Sequence, residues 1–136
     1  MRIFLDANVL VSIVNQEYPS FPYCARIASL ADRPGFHLFT SSLSLGITWY
    51  FACKKHGQQK ARKKIEILMA HIAVTDCGQM ETFAALKFKK AADLEDAMQY
   101  FSALHAGCEF IITSNQSDFY FSEIKVVGPE EFFKYL

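Results

Sequence analysis

At 136 residues, with 51% hydrophobic and 15% aromatic content, the chain is long enough for one packed domain and too apolar for a disordered segment. Its 14 basic and 14 acidic residues cancel, so no global field draws it to nucleic acid, and such binding would need a local patch. The four cysteines, Cys24, Cys53, Cys77 and Cys108, are dispersed without a CxxC pair, which favours free thiols over disulfides or a structural zinc. No apolar run approaches membrane-spanning length, and Asp6 interrupts the N-terminal apolar stretch too early for a signal peptide. These features predict a cytoplasmic protein of one domain, residues 1–136, with no membrane association.

Arg2 to Leu5 reads as a short buried strand ending at Asp6, and Val9 to Val14 as an apolar helix. A carboxylate at such a seam costs free energy unless it is paired or coordinated, although it can also cap the helix. Pro19 and Pro22 break the chain before a helix over Tyr23 to Ala31, and Arg33-Pro34-Gly35 breaks it again. Phe36 to Phe39 is a candidate second strand. Thr40-Ser41-Ser42 opens a long helix through Lys55, with Leu43, Ile47, Tyr50 and Phe51 at helical spacing as the inward face. Beyond Gly57 comes a helix over Gln58 to Ala70 that buries Ile65, Leu68 and Met69, followed by a strand over His71 to Thr75. A further amphipathic helix spans Gln79 to Lys90, with Phe83, Leu86 and Phe88 turned inward.

The most informative stretch is DLEDAMQYFSALHAGCEFIITSNQSDF, from Asp93 to Phe119. Asp93 suits a helix N-cap and Asp96 falls at the third helical position, where the helix dipole favours an acid. Their three-residue spacing turns both carboxylates roughly the same way. Ala97, Tyr100, Phe101 and Leu104 form the apolar stripe, and Gly107 is a C-terminal glycine cap. Phe110 to Ile112 reads as a strand buried on both faces, and Thr113 to Asp118 as polar loop past its carboxyl end. Lys125 to Val127 is a last short strand, and Pro129 starts a terminal helix with Glu130 and Glu131 in its first turn. Short apolar strands alternating with helices predict a three-layer α/β/α sandwich around a mainly parallel sheet.

In open parallel sheets, ligands bind past the carboxyl ends of the strands. If the strands ending at Leu5 and Ile112 are neighbours, Asp6 and the Thr113–Asp118 loop share one rim, within reach of Asp93 and Asp96. Several carboxylates on one spot repel each other, and the arrangement makes chemical sense around a hard divalent cation, Mg2+ or Mn2+. Such ions support phosphodiester hydrolysis.

FLDANVLV, DLEDAMQYFSAL and FIITSNQSDF, in that order and over nearly the whole chain, resemble the PIN domain, the nuclease fold of VapC-type toxins. The resemblance implies a divalent-metal-dependent endoribonuclease of the toxin–antitoxin type, a homodimer neutralised by a small antitoxin protein. It carries Asp6 over as the first family acid, Asp96 as the acid of the helix and Asp93 as an additional upstream acid. Asp118 or Asn115 fills the last position. The catalytic candidates are therefore Asp6, Asp93, Asp96 and Asp118, with Asp6, Asp96 and Asp118 as metal ligands. The resemblance breaks near Gly46 or Ile47, where the family usually carries an acid. No Asp or Glu occurs between Asp32 and Glu66, and Ser42 or Ser44 can hold water there but supply no charge.

Asn8, Ser42, Thr113 and Asn115 are candidate polar contacts to RNA, and Lys54 and Lys55 candidate phosphate contacts in the basic stretch that continues through Lys64. Trp49 and Tyr50 read as core or dimer packing rather than base stacking. The four histidines suggest no relay or metal triad. Two alternatives stand beside the nuclease: a degenerate PIN module that binds RNA or protein without cutting, and a phosphotransfer enzyme with Asp6 as nucleophile. Asp6-Ala7-Asn8 lacks the second acid that such enzymes commonly need two residues on.

Overall fold

A computed structural model describes residues 1–136, all of the chain. Five strands run in chain order as β1 Arg2–Leu5, β2 His37–Ser41, β3 Ala73–Thr75, β4 Phe110–Ile112 and β5 Lys125–Val127. They form a single sheet in the order β3-β2-β1-β4-β5, and every pairing is parallel. The helices are α1 Ala7–Asn15, α2 Phe21–Ser29, α3 Ser42–His56, α4 Gln58–Met69, α5 Gln79–Lys87, α6 Leu94–His105 and α7 Pro129–Phe132. None is long and apolar enough to cross a membrane.

The strand period of two divides the side chains between two helical layers. Ile3 and Leu5 of β1 and Ile112 of β4 join the larger cluster, which holds residues of α1, α2, α3, α4 and α7. Phe4 and Ile111 point the other way, to Tyr100 and Ala103 of α6. Ile3, Phe4 and Leu5 are fully buried, each worth about 1.5–3 kcal/mol of apolar transfer. This is the expected three-layer sandwich.

Register places the rim. Leu5 pairs with Ile112, and the Asp6 amide continues the ladder by donating to the Ile112 carbonyl at 3.0 Å. Asp6 then caps α1 as its Oδ1 accepts the Ala7 amide at 2.7 Å. Asp93 caps α6, its Oδ1 accepting the Asp96 amide at 3.0 Å. That helix ends in a Schellman motif at Gly107 (φ 71°), whose amide reaches the Leu104 carbonyl while Cys108 reaches Ala103.

Two helices face differently from expectation. In α3 the buried residues are Ser44, Thr48 and Ala52, while Tyr50 and Phe51 are exposed and Leu43 and Ile47 are only half-buried. Small side chains let α3 approach α1, its main helical neighbour, and hydroxyls satisfy the interior: Ser44 Oγ donates to Gln99 Oε1 and Thr48 Oγ1 to the Ser44 carbonyl. In α5, Phe83 and Leu86 are exposed while Glu81 and Ala85 are buried. That helix stops at Lys87 because Phe88 leaves helical conformation and enters an aromatic cluster, stacking on Tyr100 and meeting Phe101 and Phe121 edge-on. Leu104 of the predicted stripe is exposed, and Ala103 takes the buried position. The histidines are not all isolated: His105 Nδ1 bonds Glu81 Oε2, and His71 pairs with Asp32 at 3.2 Å.

Candidate active site

The β1–α1 turn and the loop after β4 are locked together by a polar network. Thr113 Oγ1 donates to Asp6 Oδ2 at 2.8 Å, and Asn8 Nδ2 donates to Asp6 Oδ2 at 3.3 Å and to Thr113 Oγ1 at 3.0 Å. Asn8 Oδ1 accepts the Ser114 amide, and Thr113 Oγ1 the Asn115 amide. The first acid is thus held in one orientation, with Thr113 fully buried behind it. Tyr120 joins the segments that carry the other acids: its hydroxyl accepts the Ala92 amide and donates to the Lys90 carbonyl.

These elements enclose a cleft of about 360 Å3 whose lining includes Asp6, Asn8, Glu17, Ile47, Phe51, Glu95, Asp96, Asn115 and Asp118. Three sequence-remote segments therefore contribute Asp6, Asp96 and Asp118 to one cleft lining. Their charges interact. Burial and then the surrounding Asp93, Asp118, Asp6 and Glu95 push Asp96 from 3.8 up to about 7. Asp6 is also raised, first by burial and last by Asp118, against the lowering hydrogen bonds from Thr113 and Ala7. Burial, Asp93 and Asp6 raise Glu95.

Several anticipated residues lie elsewhere. Asp93 does not line the cleft; it is spent on capping α6 and acts on Asp96 and Glu95 through its charge. Ser42 faces a different hollow, beside Val74 and Cys77, because the helical turn points it away from Asp6. Ser44 is buried against Gln99. Lys55 is committed to the Asn15 carbonyl, and Lys54 lies over the Tyr50 ring at 5.3 Å; neither lines the cleft. Two lining acids escaped the sequence reading. Glu95 carries no signal beyond that of an ordinary first-turn helix acid, and nothing local marks Glu17, a loop residue, as folding back. Gln16 adopts a left-handed conformation (φ 51°) there, and the Glu17 carbonyl accepts from Ser12 Oγ, Ser20 Oγ and the Phe21 amide.

A larger hollow of about 460 Å3 lies between Pro19 and α7. Its acids are already paired, Glu131 with Gln116 at 2.9 Å and Glu130 with the Tyr23 hydroxyl at 3.2 Å. The acidic cleft offers unpaired carboxylate and amide oxygens, a donor set suited to a hard divalent ion. The chemistry fits such an ion, although no three of these side chains already converge on one point.

Fold and cleft together define the class: an α/β/α domain with an oxygen-donor acidic cleft at the carboxyl rim of a parallel sheet. The model of the PIN domain matches residues 2–117, and the chain belongs to the PIN domain family. Over 135 residues it is 31% identical to Ribonuclease VapC1 of Aquifex aeolicus (strain VF5), covering 96% of this chain and 92% of that protein. Several solved structures share its fold. VapBC-1 from nontypeable Haemophilus influenzae has a TM-score of 0.72 at 16% identity, over 96% of this chain and 99% of that one. VapBC2 from Rickettsia felis, bound to a DNA fragment from its promoter, has a TM-score of 0.71 at 17% identity, over 94% and 98%. The sarcin-ricin loop cleaving toxin VapC20 of Mycobacterium tuberculosis has a TM-score of 0.64 at 18% identity, over 80% and 86%.

Proposed function

We propose that the chain is a VapC-type endoribonuclease that hydrolyses RNA phosphodiester bonds with Mg2+ or Mn2+, is held inactive by an antitoxin protein and works as a homodimer. The carrying observation is that Asp6, Asp96 and Asp118 line one cleft, in which burial and then the neighbouring acids push Asp96 up to about 7. A divalent ion held by these three would supply positive charge opposite a phosphate and favour ionisation of a water. Asp6, oriented by Thr113 and Asn8, presents a fixed ligand oxygen. Asp96 needs a nearby cation to ionise fully at neutral pH, and Asp118, on an exposed loop, can adjust to the phosphate. Glu17 and Glu95 stand at the lining to orient the attacking water, a charge contribution that Ile47 cannot make.

The test is cleavage of single-stranded RNA by purified protein with Mn2+, with chelator, and with Asp6→Asn. Cleavage that needs the ion and Asp6 supports the reading. A second reading, a PIN module that binds without cutting, is favoured by the apolar Ile47 and Phe51 wall and by the spread of the carboxylates. It predicts RNA binding with no cleavage under any divalent ion.

A further inference from the structure

The exposed side of α3 is an aromatic ridge that continues the acidic cleft. Phe51 is 44% exposed and lines the cleft beside Ile47; Tyr50 is 57% exposed and meets Phe51 edge-on at 5.2 Å. The Lys54 ammonium sits over the Tyr50 ring, and one layer further out Arg62 of α4 lies 5.4 Å from the centre of the Trp49 ring. The Tyr50 and Phe51 rings each keep about half their surface open to solvent. Exposing large aromatics beside a site costs apolar transfer free energy that burial would have returned. We infer that Tyr50 and Phe51 form a base-stacking platform on which a nucleotide of single-stranded RNA rests while its backbone enters the acidic cleft.

Charge and geometry favour this occupant. The cleft itself is acidic and repels phosphate, so a substrate needs attraction from its rim, and Lys54 provides a cation beside the rings. Aromatic faces interleaved with cations recognise single-stranded nucleic acid without strict sequence preference, because every base offers a π face. A protein helix would be better served by a continuous aliphatic groove, and here the ridge is broken by lysine. The platform rests on the ribonuclease reading and adds to it: the strand must be unpaired at the cut site, since stacked bases in a duplex cannot reach a side-chain ring.

The experiment uses the full chain in the Asp6→Asn background, which the ribonuclease reading makes unable to cut, with a short single-stranded oligoadenylate followed by fluorescence anisotropy with Mn2+ present. Tyr50→Ala and Phe51→Ala should each weaken binding by about five- to 150-fold, the range of one lost stacking contact. Phe51→Trp and Tyr50→Phe should bind as the parent does. Each of the four should still melt well above the assay temperature, so that lost binding is not lost folding. Lys54→Gln should reduce the slope of log affinity against log salt by about one. Unchanged affinity in both alanine variants, with the parent binding well, overturns the platform and leaves the ribonuclease intact. A wild-type chain that neither binds nor cuts RNA removes the ribonuclease reading, and the platform with it. Alanine variants that keep RNA affinity but lose a co-expressed antitoxin would reassign the ridge to a protein partner.

Discussion

Replacing Asp96 with Asn removes a charge that the cleft disfavours. The carboxyl lies at about 7 where an isolated aspartate has 3.8, chiefly through burial and then through the neighbouring acids. At 1.36 kcal/mol per pH unit that gap corresponds to a ceiling of about 4 kcal/mol. The side chain is partly solvated, so screening reduces this to about 1–2 kcal/mol. Loss of the favourable dipole interaction at the third position of α6 takes back about 0.5 kcal/mol. In metal-free buffer at pH 8 the variant should therefore be about 1 kcal/mol more stable than the parent, a rise in Tm of about 4 °C for a domain of this size. Because folding raises this pKa, the parent's contribution is fully present below pH 3.8 and is lost as pH rises through about 7. The advantage of the variant should accordingly grow from pH 4 to pH 8. Scanning calorimetry of both proteins over that range, with chelator and then with Mn2+, checks the argument. Mn2+ should raise the parent's Tm by mass action and leave the variant nearly unmoved. A variant less stable than the parent at pH 8 without metal would refute the electrostatic reasoning and reduce Asp96 to a helix-end acid.

Other perturbations bear on separate parts of the site. Ile47→Glu places a carboxylate on the cleft lining and should tighten Mn2+ by about fivefold, about 1 kcal/mol, in a calorimetric titration; unchanged affinity would mean that Glu17 or Glu95 already fills the role. Thr113→Val removes the donor to Asp6 Oδ2 and the acceptor for the Asn115 amide, and should cost about 2–3 kcal/mol in urea denaturation. Glu81→Gln tests the opposite layer. Glu81 is buried, accepts the Gly78 amide at 2.9 Å and bonds His105, whose hydrogen bond is the first cause of its lowered pKa. Its contribution is present above its ordinary 4.5 and is lost as pH falls through its depressed value. The substitution should cost about 1–2 kcal/mol at pH 7 and progressively less in acid, read as the difference in urea midpoints.

Much of the frame was legible because it rests on local chemistry. Asp6 after an apolar tetrapeptide, Asp93 and Asp96 at a helix start, and Gly107 with positive φ at its end are positions that caps and strand ends dictate from nearest neighbours. Parallel pairing of β1 and β4 then brings the Asp6 and Asp118 segments to the same rim. What required the tertiary structure were choices among faces that the helical period alone leaves equivalent. In α3, Leu43, Ile47, Tyr50 and Phe51 have the spacing of a buried stripe, yet the helix turns Ser44, Thr48 and Ala52 fully inward, with Leu45 and Trp49 packed against the core beside them. That rotation exposes Tyr50 and Phe51 and brings Ile47 and Phe51 to the cleft. Glu17 joins the cleft because a left-handed residue and three hydrogen bonds to its carbonyl fold a loop back, whereas Asp93, capping α6, stays off the lining. Local propensity and capping dictate which elements form and where their acids fall along the chain. The packing of whole helices against one another, a matter of volume summed over distant residues, decided which of those acids share a cleft.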